Sequence, residues 1–566
     1  MSIDEAEGLR WDGQLLLRII GARARALGQA LVGRTFAGFL TSRLFPVRPA
    51  VLEEDGVQTE WLLLSPRPDS IHEMVSRNPW DMAHTVQRDA VGFLQLRGDH
   101  GESAYVEPNL FHRIYWPRSK TTAATGSWPT GPDFAWHLER DYTDLRRARN
   151  SPRSNADREN ARVGILDTGI PAAPHEALPA KLEANLGWNF ADNCLDVHDS
   201  GIGLNPGHGT ATLGILAGDV GGVRRNGRPY GDFTGGAPLS HVVPVRVASA
   251  VVLFKTVELA RSIEHIAHLG QTRNAPCQVI SISMGGLASE AWADAVNDAY
   301  DQGVCVVAAA GNNVAKLPTR FTVYPSRFGR VITVTGVTAA QEPYTTGNPF
   351  VMQGNYGPPS VMTKAIAAYT PNMMHALFDP VMKPVPIYWN ETFEGTSAAT
   401  PQVAAAAALW FERHADQYAE PWRKIEAVRA ALFFSARKTH KNYKTYFGNG
   451  TLHAAEALSP ATQDHVRSLV LAKRPRDRVK FPFLRVLLGW DQAVASDLSD
   501  AGARQMLEAE AINLVIERGD ESLQGTVGDR EDFEAIDRPD QARRIRDLGA
   551  SAEISNDLRN ALANIR

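Results

Sequence analysis

Three short segments of the chain set an aspartate, a histidine and a serine among glycine and threonine. Asp167 lies in Gly-Ile-Leu-Asp-Thr-Gly at 164–169, His208 in Gly-His-Gly-Thr at 207–210, and Ser397 in Gly-Thr-Ser-Ala-Ala-Thr-Pro at 395–401. A serine hydroxyl is a weak nucleophile at neutral pH. It attacks a carbonyl only with a base in hydrogen-bond reach and an acceptor behind the base to orient it. The order Asp, His, Ser is one of three unrelated orders in which such a triad occurs along a chain. The attack creates an oxyanion that needs donors. Asn312 follows Gly311 at the end of the apolar run 304–310 and suits that task. Taken singly, Asp167 reads as a strand-end cap, His208 as a loop residue, Ser397 as a helix N-cap and Asn312 as a turn residue. Only their conjunction points to chemistry.

These side chains need a scaffold to bring them together. Residues 162–166, 241–247, 278–283, 304–310 and 331–335 are short apolar, β-branched runs. Near-continuous apolar runs suit strands buried on both faces of a parallel sheet. Between them, 253–269 carries apolar residues at helical spacing and 291–300 reads as a second helix, so the region predicts an α/β fold with its chemistry beyond the carboxyl ends of the strands. Asp167 then ends a buried strand. His208 opens a small-residue helix. Ser397 opens the alanine-rich helix that follows it, where free N–H groups and the positive dipole end favour a developing oxyanion.

In this order, Asp-Thr-Gly, His-Gly-Thr, Ala-Ala-Gly-Asn and Gly-Thr-Ser-x-Ala-x-Pro resemble the subtilisin-like serine proteases, the subtilases, over 134–458. The resemblance implies a three-layer α/β/α domain with a mainly parallel, seven-stranded sheet. It also implies a serine endopeptidase with Asp167, His208 and Ser397 as the triad and Asn312 beside the Ser397 N–H in the oxyanion hole. Ser283, Met284, Gly285 and Gly286 are similar to the family's substrate-binding strand, with a side-chain pocket near Gly311, so a protein or peptide substrate would bind by strand addition. Ala398 and Gln402 depart from the family pattern and read as changes in packing. A calcium loop is not recognisable between 219 and 236, so no cofactor or metal is expected, calcium being the one the family would suggest.

The flanks are less legible. Residues 104–109 are similar to the end of subtilase propeptides, with strands at 61–64 and 91–96, a helix at 82–89, and Tyr115 or a neighbour as a cleavage site. The expected organisation is an N-terminal region over 1–116, propeptide-like from about residue 50, a linker at 117–133, a catalytic domain at 134–458 and a C-terminal helical extension at 459–566. These extensions could restrain activity or receive a regulatory protein partner. Two other readings share the sequence: a peptide ligase or cyclase on the same fold, and a catalytically silent binding scaffold.

Cys194, His198 and Asp199 lack a second Cys/His pair and read as a solvated loop. The segment 201–207 lacks the flanking strand and lysine of a phosphate loop. A net charge of −4 gives no reason to expect nucleic acid. No run of 18 apolar residues suggests a membrane span. An acidic start without a secretory leader, and three cysteines at unrelated spacings, lead to the expectation of a cytoplasmic protein.

Overall fold

The computed structural model describes residues 10–47, 57–96, 101–113, 134–151, 159–172, 175, 178–199, 206–220, 224–225, 228–251, 253–312, 321–345, 352–378, 387–481, 484, 501–518, 543 and 546–563. Its centre is a parallel sheet in the order Ala365–Tyr369, Ile332–Val337, Cys305–Ala309, Val279–Ile282, Arg162–Asp167, His241–Arg246. Successive strand residues point to opposite faces, and here they enter two different cores. Leu166, Ile280, Ile282 and Val306 pack with Leu259, Ile263 and Val296 of the helices Thr256–Ala267 and Glu290–Asp301. Val163, Ile165, Val279 and Val307 pack with Leu213, Val403 and Ala407 of the helices His208–Ala217 and Thr396–His414. Both faces are therefore covered, which is why the strands read as continuous apolar runs.

Six strands pair among the described residues, where the family resemblance implies seven. Beyond the His241–Arg246 edge the chain makes only isolated parallel bridges, Leu182 to Val242 and Asn189 to Arg246. Pro244 supplies the reason. Val242 and Arg246 both donate outward, to Lys181 and Trp188. Pro244 lies between them in the same outward register and has no N–H to give. The outer segment turns through the short helix Ala184–Leu186 at that point.

The N-terminal residues build a second sheet, antiparallel, in the order Leu253–Lys255, Ser103–Arg113, Trp11–Ile20, Thr59–Pro66, Phe39–Arg43, Thr35–Phe36. Its edge strand Leu253–Lys255 comes from the segment expected to be wholly helical, so the helix begins only at Thr256. The strand expected at 91–96 is not formed. The helix Pro79–Phe93 continues through that region, with Asn78 accepting from the N–H groups of Trp80 and Asp81 and with Pro79 in the first turn. Trp80, Ala83, Val86, Gln87 and Ala90 give it a buried face at helical spacing, while Phe93 is 68% exposed. The central strand Trp11–Ile20 carries one charge besides Asp12, that of Arg18, which is buried against Asp294. The anticipated C-terminal helix is present as Ala501–Arg518 and lies over Ser103–Arg113. The expected linker and Tyr115 lie outside the described residues.

Candidate active site

The strand Arg162–Asp167 delivers Asp167 to the carboxyl edge of the parallel sheet. The chain then turns at Gly169, whose φ is +108°. The helix bearing His208 sits directly on that turn, because a Cβ on Gly209 would lie 2.2 Å from the Gly169 carbonyl oxygen. This close approach explains the glycine after His208 and brings the imidazole to the aspartate. His208 Nδ1 donates to Asp167 Oδ1 at 2.7 Å. The same oxygen accepts from Thr168 N at 2.8 Å, and Oδ2 accepts from Thr212 Oγ1 at 3.1 Å. Asp167 is 2% exposed. A buried carboxylate with three donors is held rigidly. With the Nδ1 proton engaged by Asp167, the Nε2 lone pair is the basic end of the ring.

Asp199 belongs to this assembly and not to a solvated loop. It is buried, accepts from Thr168 Oγ1 at 2.9 Å and from Gly207 N at 3.0 Å, and so ties the aspartate turn to the start of the histidine helix. No sequence signal distinguished it from the neighbouring polar residues. The imidazole is walled by Phe393 at 5.4 Å, itself 5.0 Å from His375. Burial, with a contribution from nearby His208, pushes the His375 imidazole down to about 4, so this second histidine stays neutral.

Ser397 is the second residue of the helix Thr396–His414. Gly395 precedes it at φ +85°, where a Cβ would lie 2.9 Å from Asn312 Nδ2. Glycine therefore lets the Asn312 amide reach the helix N-terminus. Asn312 Oδ1 accepts from Thr396 N at 2.9 Å, which turns its –NH₂ group away from that bond and leaves it as the donor. The Ser397 hydroxyl donates to the Ser283 carbonyl at 3.0 Å, and the Ser283 hydroxyl donates back to the Ser397 carbonyl at 3.0 Å. A hydroxyl has one proton, so Ser397 must leave Ser283 before it can donate to His208; such bonds commonly form only with substrate in place. Gln402 proves more than a packing change. Its amide donates to the Tyr369 and Ala398 carbonyls and accepts from Tyr369 N, which fastens the serine helix to the sheet edge.

Of the expected substrate strand, Ser283 is tied to Ser397 as above, and Met284 and Gly285 make no backbone hydrogen bonds with the described residues. Gly286 pairs with Tyr324 through both its N–H and its carbonyl, at 2.8 and 3.2 Å. A Cβ there would meet His112 Nδ1 at 2.5 Å. Gly311 has a φ of +92° and faces Val323 and Asn355.

His112, near the end of Ser103–Arg113, stacks against both Phe254 and Trp292, with centroids 5.1 and 4.3 Å away, and those two rings stack on each other at 5.9 Å. Its Nδ1 accepts from Leu287 N at 3.0 Å and its Nε2 pairs with Thr256 Oγ1 at 2.9 Å. Burial pushes the ring down to about 3, in keeping with a neutral imidazole that accepts at Nδ1. The N-terminal strand thus ends alongside Gly286 and Leu287. Nothing in the sequence marked His112, because its aromatic partners lie far away in the chain.

Among the described residues no group of three or more His, Cys, Asp or Glu side chains is arranged to hold a metal ion. No described helix is long and apolar enough to cross a membrane.

Residues 158–450 match the model of the subtilase family. The chain is 28% identical over 304 residues to thermitase of Thermoactinomyces vulgaris, covering 54% of this chain and 90% of that protein. It is 27% identical over 305 residues to subtilisin DY of Bacillus licheniformis, covering 53% and 90%. It is 26% identical over 365 residues to a thermophilic serine proteinase of Bacillus sp. strain AK1, covering 63% and 72%.

Proposed function

The chain belongs to the subtilase family and is a serine-type endopeptidase, and we propose that it cleaves protein or peptide substrates with Asp167, His208 and Ser397 through an acyl-enzyme, under restraint by its own N-terminal region. Substrate enters as an added strand beside Met284 and Gly285. His208 Nε2 takes the Ser397 proton as Oγ attacks the peptide carbonyl. The charge that develops on the carbonyl oxygen is met by the Ser397 N–H and by Asn312 Nδ2. The imidazolium, steadied by Asp167, then protonates the leaving amine, and water attacking through the same base releases the acyl group. The observation that carries this reading is the short His208–Asp167 bond, which engages Nδ1 and so makes Nε2 the basic nitrogen of the ring.

The restraint is read from the Ser103–Arg113 strand, which runs antiparallel to Leu253–Lys255 and sets His112 against Gly286. A substrate strand arriving there must displace it. A fluorophosphonate probe tests the proposal. Ser397 should label slowly in the full chain and faster in His112→Ala, which removes the ring from its aromatic slot. Absence of label at Ser397 in both proteins would refute the triad assignment. Equal rates in both would refute the restraint.

A further inference from the structure

The C-terminal extension closes over the N-terminal sheet, and all three parts of the chain converge on one helix. Asp294 of Glu290–Asp301 accepts from Trp61 Nε1 at 2.9 Å and pairs with Arg18 at 3.0 Å, both from the N-terminal sheet. Its other oxygen accepts from Arg478 of the C-terminal extension at 2.8 Å. The side chains of Arg18 and Asp294 are each 1% exposed. Glu107 of the N-terminal sheet accepts from Ser289 Oγ and from the N–H groups of Glu290 and Ala291, at 2.7 to 3.1 Å. It thereby caps a helix of the central α/β layer. Separation would leave buried charges and helix N–H groups without partners, each a substantial cost.

The extension then covers this junction from outside. The helix Ala501–Arg518 lies so close to Ser103–Arg113 that a Cβ on Gly502 would stand 1.9 Å from the Ala104 carbonyl oxygen. At its far end Asn513 clasps both backbone groups of Ala288, at 2.7 and 3.0 Å. One helix therefore touches the N-terminal strand and the loop that leads from the substrate strand into Glu290–Asp301.

We infer that the C-terminal extension is a retaining clamp. It holds the N-terminal sheet in place even when the chain is cut between 114 and 133, and substrate gains the groove by peeling the Phe111–Arg113 tip off Leu253–Lys255, not by departure of the N-terminal region. The peeling step rests on the peptidase reading above; retention does not. The test uses the full chain carrying Ser397→Ala, so that retention is read without catalysis, with a site for an unrelated sequence-specific endoprotease placed within 117–132. After cutting, both pieces should elute together in gel filtration at high salt, at the mass of the intact chain. Separation would overturn the inference. Gly502→Leu should wedge the helix off the strand, and Asn513→Ala should open the clasp on Ala288; in each the retained fraction should fall by more than half. Undiminished retention in both variants would show that this helix is not the clamp. Failure of Ser397 to label in the unmodified serine protein would overturn the peptidase reading alone.

Discussion

Replacing Thr212 by valine tests how the aspartate is held. Thr212 is fully buried in the histidine helix, and its hydroxyl is the donor to Asp167 Oδ2, at 3.1 Å. The same hydroxyl also lies 3.1 Å from the Gly209 carbonyl, a local helical contact. Valine has the shape of threonine, so the change removes the donor without opening a cavity. A hydrogen bond to a charged group contributes about 1.5–3 kcal/mol, and the carboxylate oxygen left behind is buried. The expected loss of unfolding free energy is therefore about 2 kcal/mol. If half of that bears on the orientation of the carboxylate behind His208, kcat falls roughly five- to tenfold with KM unchanged. Thr212→Ser keeps the hydroxyl and should restore both. Equilibrium denaturation and steady-state hydrolysis of a peptide substrate measure the two quantities. A Thr212→Val protein within error of the unsubstituted one in both would refute the idea that Oδ2 depends on this donor.

Three further outcomes follow from the same geometry. Asn312→Ala should lower kcat by roughly 10²–10³, the loss known in this family when one oxyanion-hole donor is removed; steady-state kinetics check it, and a smaller loss than tenfold would remove Asn312 from the oxyanion hole. Gln402→Ala should lower the unfolding free energy by about 2–4 kcal/mol, since it breaks bonds to Tyr369 and Ala398 at a fully buried site, and calorimetry would register it as a lower Tm. Glu394, three residues before Ser397, is pushed by burial from 4.5 up to about 7, against the opposing bond from Tyr344. The unfolded chain releases this proton first, so the folded protein should lose up to about 3 kcal/mol as pH rises from 4.5 through 7. Glu394→Gln should flatten that slope in denaturation curves taken at pH 5 and pH 8, and an unchanged slope would assign it to another group.

The strands of the parallel sheet were legible because burial on both faces leaves no polar alternation, and Asp167, His208 and Ser397 stood out only through the conjunction of their glycine- and threonine-flanked segments. What escaped was set by distant partners. Arg18 breaks the apolar run at 15–20, and its counter-charge Asp294 lies in another part of the chain. Residues 91–93 alternate like a strand, but the helix capped at Asn78 carries through them. Pro244 reads as one residue of an apolar run, and only the outward register of Val242 and Arg246 shows that it lacks an N–H where the edge strand meets the outer segment. Asp199 and Gln402 carried ordinary polar signals in sequence. Their roles come from backbone groups that folding brings to them. Gly286 kept the motif's appearance while its backbone was taken by Tyr324, a pairing no local pattern encodes.

The central claim is that one hydroxyl is activated by one imidazole. Mass spectrometry of the chain after fluorophosphonate treatment tests it most directly. A single adduct on Ser397 is expected, its formation abolished by His208→Ala and slowed by Asp167→Asn. An adduct on another residue, or labelling of Ser397 at an undiminished rate without His208, would contradict it.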